Sequence, residues 1–300
     1  MNTLNTQPAR HLAKIIGTFA LVLPLAGFGN QEIDETLDMP ADGLVQVENL
    51  AGKIEFETWE KSEVQIRGEA GDTVDEVEIT STAKGVQVRI HNRKNKRNTD
   101  DTDLFLRVPV KASIEADGVS ADISVDGSRG GNIMLNTVSG DLEVDASPQR
   151  MELHSVSGDA EFEGEVGRST VETVSGEITI VGASGEVNLS TVSGDVTLEA
   201  GALSRGRFES VSGDLNLELS LEDGGRLSCD SMSGDVNLLL PASQQAEFTA
   251  QSYSGGITTD FGKSSGVSKG PGVMLQHRDG DNGAQVRLET FSGDISIRAE

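Results

Sequence analysis

VNLSTVSGDVTL, residues 187–198, alternates apolar and polar side chains, slips by one residue inside Ser-Gly-Asp, and then alternates again. Alternation marks a strand with one buried face. A one-residue slip at a glycine marks a corner or bulge, where the backbone needs conformations open to glycine. The same pattern stands in IMLNTVSGDLEV (133–144), MELHSVSGDAEF (151–162), LSCDSMSGDVNL (227–238) and VRLETFSGDISI (286–297). Its central serines are Ser139, Ser157, Ser175, Ser193, Ser212, Ser233, Ser254 and Ser292, spaced 18, 18, 18, 19, 21, 21 and 38 residues apart. Two degenerate copies upstream, VQVENLAGKIEF (45–56) and IEADGVSADISV (114–125), bring the number to ten. A second glycine often precedes the first strand of a copy, as at Gly131, Gly167 and Gly185. Each copy therefore carries two short strands and two corners.

A unit this short cannot bury its own inner face. Stacked on its neighbours, it forms a continuous core of Leu142, Val144, Phe162, Ile178, Ile180, Val196, Leu198, Leu215, Leu217, Val236 and Leu238. The expected fold is all-β: a β-solenoid, parallel β-helix-like, of about ten 18–21-residue coils with an irregular β N-terminal part. A propeller or a sandwich is the runner-up, but these favour blades of about 40 residues or strand spacings of about 8–12. The expected organisation is a signal peptide over 1–29, an N-terminal β region over 30–112 that opens the solenoid, and the Ser-Gly-Asp repeat over 113–300 with an insertion at 260–285. Strand-like runs at 63–67, 77–79, 85–90 and 103–110 interrupt the repeat, and the charged stretch 93–103 reads as a loop.

Composition agrees with this reading. With 35 glycines and 4% aromatics, the chain suits many short strands joined by glycine turns. Arg10 and Lys14 followed by the apolar stretch 15–28, broken by Pro24, read as an export signal cleaved near Gly29. That stretch is short of the roughly 20 residues that a membrane-spanning helix needs, and no later segment supplies a span. The net charge of −25 becomes −27 once Arg10 and Lys14 are removed, since residues 1–29 hold no acid. Such a surface repels nucleic acid and anionic headgroups and attracts cations, cationic peptides or basic protein patches. Cys229 is the only cysteine, so no intramolecular disulfide forms; it lies in phase with Leu227, on the inward side.

The repeated acid is the most conspicuous chemical row. Asp141, Asp159, Glu177, Asp195, Asp214 and Asp235 hold one position in successive copies, each before an inward apolar residue, so each is expected to point outward. Two devices would relieve their repulsion: hydrogen bonds from turn amides, or a row of bound cations such as calcium. The calcium nonapeptide of β-helices is missing, and 279–283 lacks the later ligands of a calcium loop. No cofactor is expected. His154 lies three residues from Ser157 and five from Asp159, but those serine and acid positions recur in copies without histidine, so the fold explains them and no catalytic residue is assigned.

The stretches ENLAGKIEFETWEKSEVQIRG (48–68) and LFLRVPVKASIEADGVSADISVDG (104–127), with the serial Val-Ser-Gly-Asp copies, resemble the bacterial "putative adhesin" family, domain of unknown function 4097. The resemblance covers nearly all of the chain beyond the signal. It implies a β-solenoid in exported or envelope-associated proteins without established catalytic residues. The expected function is that of a non-catalytic periplasmic or cell-surface protein, adhesin-like or a scaffold, whose partner is an envelope or surface protein or glycan. Two alternatives stand beside it: an envelope-stress protein binding cations or cationic peptides, and a β-helix carbohydrate-active enzyme. The latter would need clustered residues that break the repeat on one face.

Overall fold

The computed structural model describes residues 19–24, 31–93, 100–266, 272–280 and 283–300. Most of the expected signal peptide, residues 94–99 of the charged stretch, and Asp281 and Asn282 of the 279–283 turn lie outside the described residues. The described chain is all-β, with no helix. Its strands join into a single sheet that folds back on itself in a solenoid-like arrangement around one core.

Each repeat contributes two strand segments separated by the Ser-Gly-Asp corner, and corresponding segments of successive repeats pair in parallel. Leu142–Asp145 lies against Ala160–Glu163, which lies against Ile178–Val181, Val196–Glu199 and Leu215–Glu218 in turn. Before the corner, Met151–Ser155, Ser169–Thr173, Val187–Thr191, Gly206–Ser210 and Leu227–Ser231 stack in the same way. The expected core residues are all buried, in files such as Val144, Phe162, Ile180, Leu198, Leu217 and Leu238. Parallel register explains the files: each residue stands on its counterpart one repeat earlier, about 4.8 Å away. Cys229 is fully buried as expected, and desolvation, with a smaller contribution from Asp230, pushes its thiol well above the ordinary range.

At both ends the stacking order departs from chain order. The N-terminal part departs from the two-strand repeat, with parallel and antiparallel pairings side by side. Strand Leu44–Trp59 pairs in parallel with Ser113–Arg129 on one edge and with Gly85–Asn92 and Thr102–Pro109 on the other. The interrupting residues thus add a further layer to the stack. Strands Gln31–Asp38 and Glu63–Ala70 extend one wall antiparallel, and Val74–Thr82 extends the other. Residues 19–24, inside the expected signal, pair antiparallel with Val74–Thr82. At the far end, Ala284–Thr290 inserts between residues 226–231 and strand Ala246–Ser252. The last copy in sequence is therefore the penultimate layer. The outermost edge, on 246–252, is covered antiparallel by Val273–Arg278 from the insertion, which pairs in turn with Ser264–Gly266. Antiparallel cover of this kind closes an otherwise unpaired sheet edge.

The corner glycine has a different reason from the one its sequence context suggests. No Ser-Gly-Asp glycine has positive φ. Each is instead pressed against the corner before it: a methyl group on Gly158, Gly176, Gly194 or Gly213 would lie 2.0 Å from the carbonyl oxygen of the preceding corner glycine. The requirement is close approach, and the clash is with backbone that cannot swing aside. Gly176→Ala is expected to destabilise the fold by about 3 kcal/mol through overpacking. Gly167→Ala, where an added methyl meets nothing within 4 Å, should cost under about 1 kcal/mol. Chemical denaturation of the two variants checks this, and equal midpoints would refute the close-approach reading.

Candidate functional site

The corner sorts its residues into rows. The Ser/Thr before the valine continues the inward alternation, so Thr137, Ser155, Thr173, Thr191, Ser210, Ser231, Thr290 and Ser252 are all buried. Most reach corner carbonyls: Ser210 Oγ donates to Gly213 O at 3.0 Å, and Ser252 Oγ to Gly293 O at 2.8 Å. These bonds supply partners that a buried hydroxyl needs. Ser155 Oγ is the member left without one. The corner serine is exposed, and its amide carries the ladder onward, as when Ser157 N donates to Val138 O at 2.9 Å.

The acid row points outward, as expected, and the structure shows what its carboxylates touch. Asp159 N donates to Asp141 Oδ1 at 3.0 Å, Glu177 N to Asp159 Oδ1 at 2.8 Å, Asp214 N to Asp195 Oδ1 at 2.9 Å, and Asp235 N to Asp214 Oδ1 at 2.8 Å. The row is longer than the six residues read from the sequence. Asp122 accepts from Asp141 N below, Asp235 from Asp294 N above, and Asp294 from Gly256 N at the last layer. A carboxylate one layer down thus takes the amide that the tight corner leaves unpaired. A repulsion of about 0.9 kcal/mol per neighbouring pair in bulk water is offset by a charge-assisted hydrogen bond of comparable or larger size. No group of three or more His, Cys, Asp or Glu arranged to hold a metal ion occurs among the described residues.

His154 and Ser157 are not brought into a triad. The His154 ring faces Glu172, with Nδ1 3.4 Å from Oε2, while Ser157 follows the repeat as an exposed corner residue.

The row that sequence reading missed is apolar. Among the described residues eleven large hydrophobic side chains are exposed, and ten of them form one file: Leu50, Val119, Val138, Val156, Val174, Val192, Val211, Met232, Phe291 and Tyr253. The six valines are 44–47% exposed, Met232 60% and Phe291 62%. The signal was available in the phase. If Thr191 continues the inward alternation of Val187 and Leu189, Val192 has to face out.

The carboxylate ladder has one weak rung. Glu177 accepts no bond from Asp195 N, in contrast to the shorter Asp at every other level, because its extra methylene carries the carboxylate past the amide. Glu177→Asp is expected to complete the ladder and raise stability by about 0.5–1 kcal/mol. Asp195→Ala should lower it by a similar amount. Paired thermal and denaturant melts at constant ionic strength measure both, and a destabilising Glu177→Asp would show that the ladder does not hold the corner.

No curated protein matches the chain. Among solved structures, it is similar to a "putative adhesin" from Bacteroides fragilis at 12% identity and a TM-score of 0.46, covering 89% of this chain and 97% of that one. It is also similar to a "putative lipid binding protein" from Parabacteroides distasonis at 12% identity and a TM-score of 0.49, covering 89% and 96%. A "putative adhesin" from the same organism matches at 11% identity and a TM-score of 0.49, covering 89% and 97%. The family model described as Toastrack DUF4097 matches residues 45–298, from the first parallel strand to the last. The chain belongs to the Toastrack DUF4097 family.

Proposed function

We propose that this is an exported, non-catalytic cell-envelope protein, a rod of about ten coils that works as an adhesin-like or scaffold surface. The observation that carries the reading is the use made of the polar residues. Most inward hydroxyls bond corner carbonyls, and every outward carboxylate of the ladder except that of Glu177 bonds a corner amide. Residue types that would serve as nucleophile or general acid elsewhere are here part of the frame. The outer face is consequently a set of parallel rows, suited to an extended contact rather than to one reacting bond. Export is supported by the basic residues Arg10 and Lys14 ahead of the apolar stretch 15–28. No helix of the described residues is long and apolar enough to cross a membrane.

Expression of the full chain in a Gram-negative host, followed by fractionation and intact-mass measurement, tests the proposal. The expected product starts near residue 30 and is found in the periplasmic or outer envelope fraction. An uncleaved cytosolic chain would overturn the export reading. For the non-catalytic reading, a panel of polysaccharide and ester substrates should give no turnover that His154→Ala or Ser157→Ala removes. Loss of a measured activity in a folded His154→Ala variant would replace the scaffold by an enzyme.

A further inference from the structure

We propose that the outward apolar file is a docking surface for a cationic amphipathic helix of a partner protein, laid along the solenoid axis with its basic side over the carboxylate ladder. This rests on the interaction role proposed above and names the chemistry of the partner.

The file is not needed to hold the coils together. Threonine at the valine positions would keep the β-branching that favours a strand and would be at home in water. At the C-terminal end even that justification lapses, because Met232 has neither a β-branch nor a ring. Exposure reaches 60% at Met232 and 62% at Phe291, and the rings of Phe291 and Tyr253 lie 6.0 Å apart, broadening the file into a small apolar platform. Ten stacked layers make an apolar strip about 43 Å long at the strand spacing of about 4.8 Å. Contiguous exposed apolar surface on this scale marks a site of association.

Charge selects the occupant. Three residues beyond the strip's side chains, across the exposed corner serine, eight of the ten layers carry a carboxylate of the ladder from Asp122 to Asp294 (Lys53 and Gly256 stand there in the two end layers). Among the described residues none of the eight is in an ion pair. A second copy of the chain would set like rows against each other, and an anionic lipid surface would be repelled in the same way. A partner carrying Lys or Arg beside an apolar ridge meets both rows at once.

Spacing selects its conformation. A helix repeats its face about every 5.4 Å along its axis, close to the layer spacing of about 4.8 Å, so over four turns the two drift apart by only about 2.4 Å. A strand repeats its face every 6.6–6.8 Å or so and is out of step by about 2 Å at each residue pair. A helix with apolar residues at i, i+3, i+4 and i+7, and basic residues along one flank, follows both rows for several layers.

The test uses the mature chain and a labelled synthetic 18-residue peptide of Leu and Lys with one apolar face. Controls are a Leu/Glu peptide of the same pattern and oligolysine. One variant carries Val174→Thr, Val192→Thr, Val211→Thr and Met232→Thr. A second carries Asp159→Asn, Asp195→Asn and Asp214→Asn, which keeps an amide-accepting oxygen at each rung. Fluorescence anisotropy at physiological salt should show binding of the Leu/Lys peptide alone, weakened at least tenfold by either variant, with melting temperatures within a few degrees of the parent. Equal binding of oligolysine, or no loss in the threonine variant, would overturn the proposal. So would a parent that self-associates in sedimentation while the threonine variant stays monomeric, because a second copy would then cover the strip. An envelope-located chain that ignores the peptide would sink this inference and leave the scaffold reading standing.

Discussion

The contact on which the rest of the structure depends is a glycine backbone pressed against the carbonyl of the corner beneath it. At Gly176 there is room for a hydrogen and none for a methyl, since an added carbon would sit 2.0 Å from Gly158 O. This brings successive corners to strand-pairing distance, so the sheet passes from one wall to the other without losing register. Once the corners coincide, every other residue of the motif is forced onto its counterpart one layer away. The inward hydroxyls, the core files, the outward valines and the carboxylates are all consequences of that superposition.

Superposition would be unfavourable for the acids if their charges met nothing else. The corner changes the balance, because the tight turn leaves an amide facing outward at each level and the carboxylate below accepts it. A row of like charges therefore becomes a row of hydrogen bonds with charge left over on its outer side. The side chain has to be short. Asp reaches the amide, whereas the longer Glu177 does not, although the parallel strand pairing on either side of it is intact. The mixture of rigid attachment and residual charge is what distinguishes this ladder from an ordinary solvated acidic face.

The two ends show a separate constraint. A parallel stack exposes an unpaired edge at top and bottom, and a repeat that simply stopped would offer both for further strand addition. Here antiparallel strands cover both walls at the N-terminal end and the wall ending in Ala246–Ser252 at the other. At the C-terminal end the chain runs past its own final slot, builds the cover on Ala246–Ser252, and returns to fill the layer beneath with Ala284–Thr290. The 38-residue gap between Ser254 and Ser292 is the length of that excursion. A spacing shows that residues have been inserted, but not on which side of a strand the chain comes back.

From the sequence alone follow the all-β class, the strands and corners of the repeat itself, the core side chains, the inward Cys229 and the outward acids. All of these follow from a period of two and its interruption, which are local properties of the chain. What needed the folded stack was why the glycine is required, which amide each carboxylate holds, and in what order the terminal layers lie. Each of these is a relation between residues about 18 or more positions apart. Such relations exist only after one layer has been laid on another, because the partner that sets them is a backbone atom with no identity in the sequence.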